Sequence, residues 1–246
     1  MALIRCDFYS EALELGTSMT VLLPQSGGTQ IGVSGGSGDA PPPVLYLLHG
    51  LTDDDTAWTR YTSIERYAAA KGLAVVMPQV HRSFYADERY GLKHWTFLAE
   101  ELPRVVASFF RVSDRRADTF VAGLSMGGYG AMKLALRQPG RFAAAASLSG
   151  ALDLAHIYRH DDRPHIVELV ARVFGDRDPA GTPDDLLHLL TEATSTAAMP
   201  GSAAPPPGAA SAPPAARSSS GSPWRVGSRP TACPSRFCAA GFSAAR

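Results

Sequence analysis

The sequence has little cysteine, no surplus of either charge and no long apolar run, and each lack removes a class of protein. Three cysteines, Cys6, Cys233 and Cys238, are too few and too odd in number for a disulfide framework, which favours a reducing compartment. Lys+Arg and Asp+Glu are equal at 23 each, so no net field draws nucleic acid or an anionic membrane. No stretch reaches the ~18 apolar residues of a membrane helix. The N-terminus, MALIRCDFYSEALELG, carries acids within its first dozen residues and has no apolar core of a signal peptide. A soluble cytoplasmic protein is expected. The 246 residues suffice for one large α/β domain.

A second lack is local. Residues 193–246 contain no Asp, Glu, Lys, His, Asn, Gln, Ile, Leu or Tyr, and hold nine of the 19 prolines. Such an Ala/Pro/Ser/Gly/Arg mixture cannot bury enough apolar area to offset ordering entropy, so the segment is expected to be disordered. The chain therefore divides into a core at 1–192 and a tail at 193–246. Out-of-frame reading of a GC-rich gene yields this composition, which makes a frameshift the favoured reading of the tail. A genuine Pro/Ala-rich linker is the alternative.

What is present before residue 193 alternates. Runs around Cys6–Leu13 and Ser18–Leu23 predict an antiparallel strand pair, followed by a Gly/Ser/Pro loop. VLYLLHG (44–50), LAVVMPQ (73–79), TFVAGLS (119–125) and FAAAASLSG (142–150) read as strands apolar on both faces. Between them, residues 56–72, WTFLAEELPRVVASFFRV (95–112) and MGGYGAMKLALRQPG (126–140) read as helices. Pro103 should kink the second or mark its first turn. This order predicts a mostly parallel sheet with helices on both faces. After Gly150 only helical patterns remain, ending in PDDLLHLLTEAT (183–194).

The chemistry concentrates in FVAGLSMGGYG (120–130). Gly123-Leu124-Ser125-Met126-Gly127 fits G-x-S-x-G between a buried strand and a helix, the setting of a serine nucleophile. The turn there is so tight that side chains at i−2 and i+2 would collide, and glycine removes both. It lifts the Ser125 hydroxyl to the carboxyl end of the sheet, beside the Met126 N–H. A strand ending in His49-Gly50 supplies a second backbone donor at Leu51. Two such N–H groups stabilise an oxyanion by roughly 3 kcal/mol each. His49 itself is expected to be structural.

With these motifs the sequence resembles one family. LYLLHG, Trp58, AVVMPQ, AEELPRVVASFF, TFVAGLSMGGYGAMKLAL and RFAAAASLSGALD are similar to the α/β-hydrolase esterases that include esterase D (S-formylglutathione hydrolase) and the bacterial tributyrin esterases. The resemblance covers residues 1–192. It implies an α/β-hydrolase fold lacking its last strands, and a carboxylic ester hydrolase acting on small-molecule, short-chain acyl esters without cofactor or metal. Ser125 is then the nucleophile, with Leu51 and Met126 as oxyanion donors.

The same resemblance implies an acid and a histidine after later strands, and here the pattern departs. The last histidine is His188 and the last acid Glu192. Asp153, after the fourth core strand, is a candidate acid, with helix capping as its competing role. His156, His160 and His165 fall in a cap region; His156 and His160 are spaced i, i+4 as a metal pair would be, but exposed polar residues on a cap helix are the favoured reading. His81 and His94 fall near the active-site rim. Without a base Ser125 is a poor nucleophile. An inactive remnant or binding module therefore stands beside the esterase reading, and acyl transfer on the same fold is a third.

Overall fold

The computed structural model describes residues 1–25, 40–198 and 238–240 of the chain. Among them, strands β1 (Ala2–Ser10) and β2 (Leu15–Leu23) pair antiparallel from Ala2↔Leu23 to Ser10↔Leu15. The predicted pair is there, but its turn comes earlier than the pattern suggested. Leu13 is buried in the core from within that turn rather than from a strand. Strands β3 (Val44–Leu48), β4 (Ala74–Pro78), β5 (Thr119–Leu124) and β6 (Ala144–Leu148) coincide with the four apolar runs. A three-residue strand, β7 (Cys238–Ala240), follows far along the chain. The sheet order is β1-β2-β4-β3-β5-β6-β7, with β2 antiparallel to β4 and every pair from β4 to β7 parallel.

Eight α-helices connect the described strands: α1 (Ala57–Tyr61), α2 (Ile64–Lys71), α3 (His94–Thr96), α4 (Leu102–Phe109), α5 (Met126–Arg137), α6 (Leu154–His160), α7 (Pro164–Phe174) and α8 (Leu186–Ala198). The single helix predicted over 56–72 is two. Thr62 turns its hydroxyl to the Trp58 carbonyl and then accepts the Ile64 N–H at 3.2 Å, a side-chain bridge that interrupts the backbone ladder. Gly72 ends α2 in the left-handed region, as its sequence position implied. Pro103 sits in the first turn of α4, just after a π-helical turn at Phe97–Glu101. Helix α5 stops at Arg137 because Gln138 precedes Pro139 and is pushed out of the helical region.

Helices cover both faces. One face of the sheet (Val21, Val44, Tyr46, Val76, Val121, Ala145) packs with Phe97 and Leu98 of the π turn, Leu102 of α4, Tyr129 and Leu134 of α5, and Leu169 and Val173 of α7. The other (Leu22, Leu47, Val75, Met77) packs with Trp58, Ile64 and Ala68 from α1 and α2. That second cover stops short. Leu124 and Leu148, partners across β5 and β6, are 38% and 43% exposed. The strand signal ended at β6 in the sequence because Cys-Ala-Ala is too short to show a period; its pairing to β6 alone makes β7 a strand. Helix α8 crosses residue 193 and ends at Ala198. Of the segment expected to be disordered or frameshifted, 193–198 lie in α8 and 238–240 form β7; the rest of 193–246 falls outside the described residues. No described helix is long and apolar enough to cross a membrane.

Candidate active site

Parallel strands β3, β5 and β6 end side by side, and the sharp turn from β5 into α5 sits at that edge. Ser125 occupies the turn with φ 53° and ψ −115°, a region that a residue with a side chain adopts only under strain. Three hydrogen bonds hold it there. Its N–H donates to the Leu148 carbonyl at 2.9 Å, and its carbonyl accepts from Tyr129 at 3.1 Å and Ala151 at 3.2 Å. The flanking glycines are required by contact. A Cβ on Gly123 would lie 2.2 Å from the Gly127 carbonyl oxygen, and one on Gly127 would lie 2.3 Å from the Leu48 carbonyl oxygen. The collision inferred from the spacing is real, and α5 also lies directly on the end of β3.

Ser125 opens into a cavity of about 410 Å³. Leu51 and Met126, the two expected oxyanion donors, both line it. Met126 is the first residue of α5, where N–H groups have no intrahelical acceptor. Phe84, Leu124, Ile157 and Ile166 make much of the wall apolar, and Asp53, Arg163 and His165 add charge and polarity. Sequence reasoning named His165 only as one of several cap histidines, and had no signal for Asp53, Phe84 or Arg163. They reach the cavity from three separate loops and helices.

The other sequence candidates are elsewhere. Asp153 caps α6, accepting the His156 N–H at 2.9 Å. His156 and His160 stack on each other, ring centres 4.7 Å apart, and no cluster of metal-binding residues occurs among the described residues. His188 pairs with Glu192 along α8 at 3.3 Å. His49 is structural, as expected. Its Nε2 accepts the Val80 N–H at 3.2 Å, so its Nδ1 carries the proton and donates to the Gly50 carbonyl at 2.8 Å. Burial lowers its pKa, opposed by the Gly50 carbonyl and by Asp53, Asp54 and Asp55.

A buried clamp behind this strand end was not legible in sequence. The fully buried Tyr85, in the left-handed region at φ 51°, donates its hydroxyl to the His49 carbonyl at 2.8 Å. Lys133 of α5, also fully buried, donates to the Tyr85 carbonyl at 2.9 Å, pairs with Asp184 and lies 4.7 Å from the Trp95 ring. Helix α5 thereby grips the loop that carries Leu51. A lysine in the middle of a helix reads as solvated. Only the tertiary packing reveals a buried one.

His81 and His94 lie together in a neighbouring cavity of about 500 Å³ that shares Leu51, Thr52 and Asp53 with the first. Their rings meet edge-on, centres 6.1 Å apart. His94 is 2% exposed and its Nδ1 has no hydrogen-bond partner. Burial lowers its pKa from 6.5 to about 4, with His81 adding to the shift. The native state therefore refuses a proton that the unfolded chain accepts below pH 6.5. Stability is complete above that value and falls as pH drops towards 4, by a total of about 3 kcal/mol. Urea denaturation at pH 7.5 and pH 5 should show the loss, and His94→Gln should flatten it.

With the geometry in place, known proteins decide the lineage. The profile of the family described as "Putative esterase" matches residues 10–227. The chain belongs to this esterase family. A relative named acetyl esterase, from Caldicellulosiruptor saccharolyticus, is 29% identical over 212 residues, 78% of this chain and 74% of its own. Two solved structures from Staphylococcus aureus are each 34% identical over 80% of this chain. They are a fluorophosphonate-binding serine hydrolase (FphF, substrate bound; TM-score 0.70, 74% of its chain) and an S-formylglutathione hydrolase (TM-score 0.66, 75% of its chain). The sheet and its helices are thus an α/β-hydrolase fold, and this member of the esterase family is a carboxylic ester hydrolase.

Proposed function

We propose that the chain is a serine carboxylesterase that cleaves short-chain acyl esters through an acyl-enzyme on Ser125. The strained Ser125, raised at the head of α5 into a cavity, is the observation that carries the reading. Its hydroxyl attacks the ester carbonyl, and the Leu51 and Met126 N–H groups receive the oxyanion. The alcohol leaves, and water then releases the acid. The cavity's modest volume and largely apolar wall suit a short acyl chain, and the acetyl esterase among the relatives agrees with that size.

The second reading, a remnant without turnover, rests on the absence of any histidine after His188 and any acid after Glu192. Fluorophosphonate labelling separates the two. Serine attack on phosphorus needs an activated hydroxyl, so the esterase reading expects one phosphonyl group, located by mass spectrometry on the peptide holding Ser125. Nitrophenyl esters of increasing chain length should then show acetate and butyrate cleaved faster than octanoate. An unlabelled Ser125 in folded protein would sink the esterase reading.

A further inference from the structure

Met126 begins α5 and Leu51 follows the end of β3, so the gap between their N–H groups depends on what spaces the helix from the loop. The loop is pinned on two successive peptide planes. In the first, the His49 carbonyl accepts the Tyr85 hydroxyl at 2.8 Å and the Gly50 N–H donates to Asp53 Oδ2 at 3.2 Å. In the second, the Gly50 carbonyl accepts the Asp53 N–H at 3.2 Å and the protonated Nδ1 of His49 at 2.8 Å. A trans peptide is flat, with its N–H opposite its carbonyl. Pinning the Gly50 carbonyl therefore also sets the direction of the Leu51 N–H.

Tyr85 spans from this loop to α5. Its hydroxyl holds His49, and its own carbonyl accepts the ammonium of Lys133, further along α5, at 2.9 Å. Its ring lies against the helix at Gly130, where a Cβ would come within 2.5 Å of Cδ2 and 2.6 Å of Cγ. The left-handed backbone at φ 51° and the Ser83 Oγ, which accepts the Tyr85 N–H at 3.1 Å, fix the direction of that ring. Tyr85 is fully buried, so loss of its hydroxyl leaves the His49 carbonyl short of a partner with no bulk water beside it.

From these contacts we infer that Tyr85 is a positioning residue, a strut that sets the spacing of the Leu51 and Met126 N–H groups and so their grip on the oxyanion. The inference rests on the esterase reading above. Such a strut acts on the transition state more than on the bound ester. The ester carbonyl carries little charge and tolerates loosely placed donors, whereas the tetrahedral oxyanion needs both within about 3 Å. Lost spacing should therefore lower kcat and leave KM nearly unchanged.

The test compares Tyr85→Phe, Tyr158→Phe, Ser125→Ala and the unaltered chain on nitrophenyl acetate. Each is also titrated with a trifluoromethyl ketone, which the serine hydroxyl attacks to give an adduct carrying an oxyanion. Tyr85→Phe should lose kcat by about tenfold to a hundredfold with KM within about twofold. Its affinity for the ketone should fall by the same factor as kcat/KM. Tyr158 also donates its hydroxyl to a backbone carbonyl, that of Gly175 at 3.0 Å, but outside the contacts that hold the 49–53 loop. Tyr158→Phe should keep the unaltered constants. Urea denaturation establishes that each variant is folded under the assay conditions. Should Tyr85→Phe not fold, Lys133→Met cuts the other end of the strut while filling its space, and the same constants decide. A folded variant with unaltered kcat and ketone affinity overturns the inference and leaves the esterase reading standing. A loss borne by KM alone does the same, and so does failure of both variants to fold, which marks a purely structural role. An unaltered chain no faster than Ser125→Ala overturns both readings.

Discussion

Ser125→Ala should hydrolyse nitrophenyl acetate no faster than buffer, at least about a thousandfold below the unaltered chain, or about 4 kcal/mol of transition-state stabilisation. The proposed oxyanion donors, the Leu51 and Met126 N–H groups, are backbone groups and survive the substitution, so the whole loss belongs to the hydroxyl. Stability should hardly change, because the strain lies in the backbone at φ 53° and alanine inherits it. Ser125→Gly separates the two effects. Glycine adopts this region freely, so the variant should be equally inactive yet more stable by about 1 kcal/mol, measured by urea denaturation. A Ser125→Gly protein less stable than Ser125→Ala would show that the elbow is not strained.

Gly127→Ala should lose about 3 kcal/mol or more and yield little folded protein. Helix propensity alone predicts the opposite sign, since alanine in a helix is better than glycine by about 1 kcal/mol. The contacts decide. The new methyl would lie 2.3 Å from the Leu48 carbonyl oxygen and 2.7 Å from that of His49, both backbone atoms of a strand end that cannot rotate away. Relief requires α5 to lift off β3, which would also separate Met126 from Leu51. Gly140→Ala is the control. Nothing lies within 4 Å of its added methyl, so its urea midpoint should stay close to that of the unaltered chain. Equal midpoints for the two variants would refute the close approach of α5 to β3.

The four central strands were legible because each is a short apolar run bounded by turn residues; β4 is buried on both faces, whereas one face of β6 is exposed. The elbow was legible because its glycines answer a local clash that spacing alone reveals. Boundaries drifted where side chains competed with the backbone, as at Thr62, or where a turn residue such as Leu13 contributed to the core. Strand β7 was invisible, since three residues carry no period. Lys133 was invisible for another reason. Its burial depends on Tyr85, Trp95 and Asp184, which stand far from it in sequence and meet it only through the packing of α5.

The histidines show the division most sharply. The sequence by itself determined that Ser125 sits on a strand–helix elbow, that Leu51 follows the neighbouring strand and that no histidine comes after His188. These follow from local sterics, periodicity and composition. Which of seven imidazoles shares a cavity with Ser125 was decided only by tertiary structure. That depends on where α7 crosses the end of the sheet, and chain order does not encode it.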